Sequence, residues 1–303
     1  MISKALTKAV LAGALGAAIC AAQQLSPKWE ELTAEDFVKA LREAKGVCVL
    51  PLGILEKHGP AGPIGSDLIQ SRYAVTEAVK LEYALVFPEY FVGQIFEAQH
   101  QPGTIAYSSH MQLEFLRETT DEMARNGCTK IVFYTAHGGN SGLISFFSQT
   151  QLEKAHDWVL YTIAQGGGGP GRGGAAGPQP VSTIPGPSKP GVDGHAGEDE
   201  ISRVMASRPD LVHPDRSPEE SGANLRRLDL PVGVATPIAW YSQYPNHYAG
   251  DSVGANAARG DAMMKSTAER LAAAIRAIKA DQIAPRLQKE FFDAAQHPLN
   301  TKQ

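Results

Sequence analysis

Three short stretches of this chain gather imidazole and carboxylate side chains at spacings that could serve one reaction centre. The first, residues 53–67, reads Gly-Ile-Leu-Glu-Lys-His-Gly-Pro-Ala-Gly-Pro-Ile-Gly-Ser-Asp. In an extended segment Glu56 and His58 point the same way, because side chains alternate with period two. The Gly/Pro turn that follows can return Asp67 to the same place. The second stretch is a β-branched and aromatic run, residues 131–135, leading into Ala136-His137-Gly138-Gly139-Asn140-Ser141. His137 thereby stands at the carboxyl end of a strand, the two glycines allow close backbone approach, and Asn140 or Ser141 is suited to cap the next helix. The third stretch is Asp193-Gly-His195-Ala-Gly-Glu198-Asp199-Glu200. Acidic residues at a helix start answer the helix dipole, which accounts for Glu198, Asp199 and Glu200 but not for Asp193 or His195.

Together these groups supply the mixed nitrogen and oxygen donors that borderline and hard divalent ions prefer. Mixed ligation without thiolate suits a catalytic rather than a structural metal, and Zn²⁺, Mn²⁺ and Fe²⁺ all fit that description. Two rival readings stay open. One is a serine hydrolase built on Gly139-Asn140-Ser141-Gly142, although the second glycine falls one position early for Gly-x-Ser-x-Gly. The other is a metal-binding protein that holds the ligands without turnover.

The elements that must position these groups alternate along the chain. Thr33 with Asp36 starts a helix that ends at Lys45-Gly46, and the continuous apolar run 47–53 suits a strand buried on both faces of a parallel sheet. Helical patterns near 68–82, 111–126, 141–156 and 254–280 then alternate with strand-like runs at 83–87, 130–135, 158–163 and 232–236. This predicts a layered α/β/α fold with a mainly parallel central sheet and its site at the carboxyl ends of the strands. Residues 165–191 are dominated by Gly and Pro and read as an insertion within one domain, placed where a lid would run directly into the third cluster.

With 303 residues, 43% of them hydrophobic, the chain can bury one large core. A net charge of −4 and the lack of a Lys/Arg-rich run argue against a nucleic-acid partner. Residues 1–22 have the layout of a secretory signal peptide: Lys4 and Lys8, an apolar centre from Ala9 to Ile19, then Cys20 and Ala22 before a cut at Gln23. That run is short for a membrane span of about 20 residues. A lipoprotein anchor at Cys20 ranks second, because Ile19 is bulky where a small residue belongs. The mature chain, 23–303, is then a single exported domain, periplasmic or extracellular. Cys48 and Cys128 read most simply as two small core residues, pairing only if their strands are neighbours.

In order and spacing the three clusters resemble the creatininase (creatinine amidohydrolase) family, whose motifs they match at residues 53–67, 135–140 and 193–202. Pro102-Gly103-Thr104-Ile105 and Gly250-Asp251 extend the resemblance over about residues 35–275. It implies two divalent ions per chain bridged by Asp67. Glu56 and His137 would complete one ion, and His58 with a further carboxylate the other. In creatininase that carboxylate comes from the second motif, where this sequence has Gly139, so the role passes elsewhere. Glu198 and Glu200 lie about 200° apart around a helix, so only one can face the ions. Glu198 is the choice, with Glu200, Asp193 and Asn140 in supporting positions or, for Glu200, as the alternative ligand. His195 takes the part of proton carrier. The implied reaction is hydrolysis of a carbon–nitrogen bond in a small amide or cyclic amide, by water activated between the ions. Because Ile54, Lys57, Ala61 and Gly62 depart from the usual residues beside the metals, creatinine itself is not implied as substrate. The family is often hexameric, so the resemblance also implies a homo-oligomer.

Overall fold

The computed structural model describes residues 24–164, 184, 188 and 193–300. The predicted signal segment lies outside the described residues, and so does the Gly/Pro insertion apart from Ile184 and Ser188. Among the described residues no helix is long and apolar enough to cross a membrane.

The elements run α1 (Ala34–Glu43), β1 (Val47–Leu52), α2 (Ser66–Leu81), β2 (Leu85–Val86), α3 (Ser109–Arg125), β3 (Lys130–Thr135), α4 (Asn140–Thr150) and β4 (Val159–Ala164). Then follow α5 (Glu198–Met205), α6 (Ala239–Gln243), α7 (Ala257–Ala280) and α8 (Ile283–Ala295). The four strands form one parallel sheet in the order β2-β1-β3-β4. β1 and β3 are buried along their whole length, as their unbroken apolar sequences require of central strands.

Alternate side chains of the sheet feed two cores, which makes the three layers. Leu50, Leu52, Ile131 and Phe133 face one way, onto Leu116 and Met123 of α3 and Ile144 and Phe147 of α4. Val49, Val132 and Tyr134 face the other, onto α2 and onto Ala268, Leu271 and Ile275 of α7. Pro51 sits in a central strand, where a missing N–H would break the ladder. Its neighbours resolve this: Val49 accepts from Phe87 and Gly53 donates to Tyr90, so that side of β1 looks toward the short β2. The ladder with β3 runs unbroken from Val47–Lys130 to Leu52–Thr135.

Three expectations need correction. Residues 232–236 form no strand; Val234 N–H donates to Pro231 O and Gly233 has φ 86°, a tight turn that leaves Val232 fully exposed. The run 83–87 contributes only Leu85–Val86 as strand. Cys48 and Cys128 form a disulfide, with Cα atoms 5.8 Å apart, because β1 and β3 are neighbours and Cys128 lies just ahead of β3. The sequence reading also passed over α8, whose Gln288 donates to Trp158 O beside β4.

Candidate metal centre

The first cluster leaves β1 at Leu52, and the next residue is held by close contact. A Cβ on Gly53 would fall 2.5 Å from the backbone N of Leu68, so glycine is what lets α2 begin against this loop. Glu56 N–H donates to Ile64 O and Gly62 N–H to His58 O, closing the turn that brings Asp67, in the first turn of α2, back beside Glu56 and His58. Ser71, one turn further along α2, donates to Leu52 O (2.6 Å) and accepts from Ala136 N–H (2.9 Å). One hydroxyl therefore pins the ends of β1 and β3 together, and with them the first and second clusters.

His137 follows β3. Its Nε2 donates to Gln94 O (2.9 Å), while Asn140 accepts from Gln94 N–H (3.0 Å) and donates to Thr135 Oγ1 (3.2 Å). Asn140 thus holds the loop that holds His137, and does not cap α4; Gly139 occupies the cap position. Ser141 Oγ donates to Gly138 O. The third cluster enters through a bridge between His195 and Ala249, and His195 Nε2 donates to Lys57 O (2.9 Å).

In the neutral rings, the form that binds a metal, these constraints leave a consistent pattern of lone pairs. His58 Nδ1 faces Glu56 O (3.2 Å), a contact only an N–H can make, so Nε2 carries a lone pair. That Nε2 lies 3.8 Å from Asp67, 3.6 Å from Glu200 and 4.0 Å from Glu56. His137 Nδ1 carries the other lone pair, 2.9 Å from Glu56 Oε1 and 3.4 Å from Asp67 Oδ2. His195 Nδ1 faces Glu200 Oε2 at 3.5 Å. Each histidine gives one N–H to a backbone carbonyl and aims its second nitrogen at carboxylates, the arrangement that orients imidazole for a metal. Asp67 is fully buried, and among the described residues neither of its oxygens nor His58 Nε2 has a hydrogen-bond partner.

The ionisation behaviour follows from that crowding. Burial alone would lower His58, but the Glu200 and Asp67 carboxylates outweigh it and push the imidazole up to about 10. Burial likewise opposes charge on His137, yet Glu56 and Asp67 hold it well above its usual range. Burial raises Asp67. Glu56, despite burial, is held well below the usual carboxylate range by His137. His195 is lowered, chiefly by burial. The cluster demands positive charge in its middle.

Donor atoms of Glu56, Asp67 and His137 lie within 4.8 Å of one another, as do those of His58, His195 and Glu200. Asp67 stands between the groups, one oxygen toward His58 and the other toward His137. These residues therefore form groups able to hold a divalent ion, and Glu56, His195 and His247 make a further group beside them.

Glu198, expected as the fifth ligand, is not among these donor groups. It accepts from the backbone N–H (2.9 Å) and hydroxyl of Ser188 and lies 3.8 Å from Arg259. The cause is the packing of α5 on α7: a Cβ on Gly260 would strike Ser202 O at 1.8 Å, so the Glu198–Ser202 face of α5 is pressed against α7. Glu200, on the other side, meets His58 and His195 and accepts from Ala196 N–H (2.7 Å). Asp193 accepts from Asp199 N–H (3.0 Å) and is pushed up to about 6 by burial and by Asp199.

His247 and Trp240 were missed in the sequence. His247 Nε2 lies 2.5 Å from Glu56 Oε2, and Trp240 Nε1 lies 2.8 Å from His247 Nδ1. A histidine three residues before the Gly250-Asp251 landmark was the available signal. With His137, His195 and Arg203 these two residues line a cavity of about 550 Å³.

The likeness to known proteins agrees with this fold. Solved structures of creatinine amidohydrolase (creatininase) match with a TM-score of 0.65 at 19% identity, over 86% of this chain and 100% of theirs. The manganese form of creatininase matches with a TM-score of 0.66 at 20% identity, and a zinc–zinc form of a creatininase variant with 0.66 at 19%. Both comparisons cover 85% of this chain and 100% of the other. No curated protein matches the chain in sequence. The family profile described as creatinine amidohydrolase matches residues 30–275, most of the chain's length, and the protein belongs to the creatininase family.

Proposed function

We propose that this chain is an exported amidohydrolase that cleaves a carbon–nitrogen bond in a small amide or cyclic amide, using two divalent ions. Zinc and manganese are the first candidates, as both occur among the structural neighbours. The observation that carries the reading is the set of buried, unpartnered donor atoms: His58 Nε2 and both oxygens of Asp67, surrounded by lone pairs. Leaving such atoms unpaired costs about 1–3 kcal/mol each, more for charged groups, and a shared cation removes that cost.

Glu56, Asp67 and His137 would hold one ion, and His58, Glu200 and Asp67 the other. When bound, such ions polarise a carbonyl and lower the pKa of water toward neutrality. The chain's own contribution is placement and proton handling. His195, kept neutral by burial and fixed by its bond to Lys57 O, presents Nδ1 to the cavity. From there it can take a proton from the water that attacks the carbonyl carbon and give it to the nitrogen that departs as the C–N bond breaks. Trp240 and Arg203 line the cavity that receives the substrate.

Export is supported by the basic–apolar–small pattern of residues 1–22 and by the Cys48–Cys128 disulfide, a bond suited to oxidising compartments. A homo-oligomer, as in the family, completes the proposal. The test is a panel of small amides and lactams, assayed with and without chelator. Hydrolysis that disappears with chelator and returns with Mn²⁺ or Zn²⁺ is expected. A purified chain that holds two ions and turns over none of the panel would favour a binding protein instead.

A further inference from the structure

We propose that His247, held by Trp240, is a positioning residue that fixes the Glu56 carboxylate for the metal centre. The inference rests on the reading of Glu56 as a ligand. An indole N–H can only donate, so His247 Nδ1, 2.8 Å from Trp240 Nε1, is the acceptor. In a neutral ring the proton is then on Nε2, which donates to Glu56 Oε2 at 2.5 Å. The chain of bonds has one direction, from Trp240 through His247 to Glu56.

This divides the two oxygens of Glu56. Oε2 is engaged by His247, with His195 Nε2 at 3.9 Å. Oε1 is left facing His137 at 2.9 Å and His58 at 4.0 Å, the direction of Asp67 and the metal group. Glu56, His195 and His247 are also close enough together to hold an ion. Both nitrogens of His247 are already committed, however, one to the indole and one to the carboxylate, so the ring has no lone pair to give. It orients a ligand and is not one.

The backbone shows that this placement is imposed. His247 is 2% exposed and has φ 54°, in the left-handed region where an L-residue pays a steric cost that glycine avoids. Its own N–H closes a turn onto Tyr244 O, which glycine would do equally well. The costly residue is kept where its ring reaches Glu56, and strain held in this manner marks a functional constraint.

Three variants of the full chain, stripped of metal and titrated with Mn²⁺ or Zn²⁺, test this. His247→Gly should bind the metal about 10–100-fold more weakly, the usual effect of losing a group that orients a ligand. Its metal-free form should lose some stability as well, because release of the φ strain does not offset the partner lost by Trp240 Nε1 and Glu56 Oε2, so the comparison with His247→Gln carries the distinction. His247→Gln, which returns an N–H toward Glu56, should recover much of the affinity, and Trp240→Phe should lose part of it. Affinity within twofold of the parent in His247→Gly overturns the proposal. So does a drop in metal-free stability that matches the loss of affinity and is not rescued by glutamine. A parent protein that takes up no metal would instead overturn the ligand reading of Glu56, which separates the two failures.

Discussion

Glu200 Oε1 stands 3.6 Å from His58 Nε2, too far for a hydrogen bond and at a separation that one ion can span. Two positions earlier, Glu198 is turned to Ser188 and Arg259. Glu200→Gln should therefore lose one equivalent of metal, while Glu198→Gln keeps both and weakens only the attachment of α5. Metal counting on the two purified variants decides between them; loss in Glu198→Gln alone would return the ligand role to that residue.

Gly139 is a position where a single methyl group should be felt at the metal. A Cβ there would sit 2.3 Å from His137 Nε2 and 3.2 Å from Gln94 O, the two atoms of the bond that orients His137. Gly139→Ala should lower metal affinity by about 10–100-fold with little change in the far core. Calorimetric titration reads it, and unchanged affinity would mean that His137 does not depend on Gln94.

His195 should separate binding from chemistry. With Nε2 given to Lys57 O and Nδ1 facing the cavity, His195→Ala should hold its metal while turnover of an identified substrate falls by about 10²–10⁴. Metal analysis beside steady-state kinetics gives both quantities from one preparation. Equal loss of metal would make His195 a ligand together with Glu200.

The Cys48–Cys128 disulfide closes a loop of sequence separation 80, for which chain entropy gives roughly 4 kcal/mol. Replacing both cysteines by alanine should lower unfolding stability by about 2–4 kcal/mol, with the metal site unaffected. Urea unfolding of parent and double variant measures it. Both cysteines are essentially fully buried, so mild reductant should act only as the chain unfolds.

The sheet and the three clusters were legible because each is written locally: an apolar run, then glycines, then donors at a strand's end. Glu56, His58, Asp67 and His137 needed only that rule to be placed together. The choice between Glu198 and Glu200 was not local. It depends on which face of α5 meets Gly260 and Arg259 on α7, dozens of residues further along. The disulfide was hidden for a similar reason, since it follows from β1 and β3 being adjacent and from their register. His247 escaped because nothing in its neighbourhood shows that residue 56 lies against it. Residues 232–236 look like a strand in composition, and the Gly233 turn with its exposed flanks decides otherwise.

The three histidines of the cluster take their orientation from the carbonyls of Glu56, Lys57 and Gln94. A carbonyl belongs to the main chain whatever side chain the position carries. Substitutions of the side chains at residues 57 and 94 can therefore leave the imidazoles aimed as before. The side chains at those two positions are free to vary because the hub answers to the backbone.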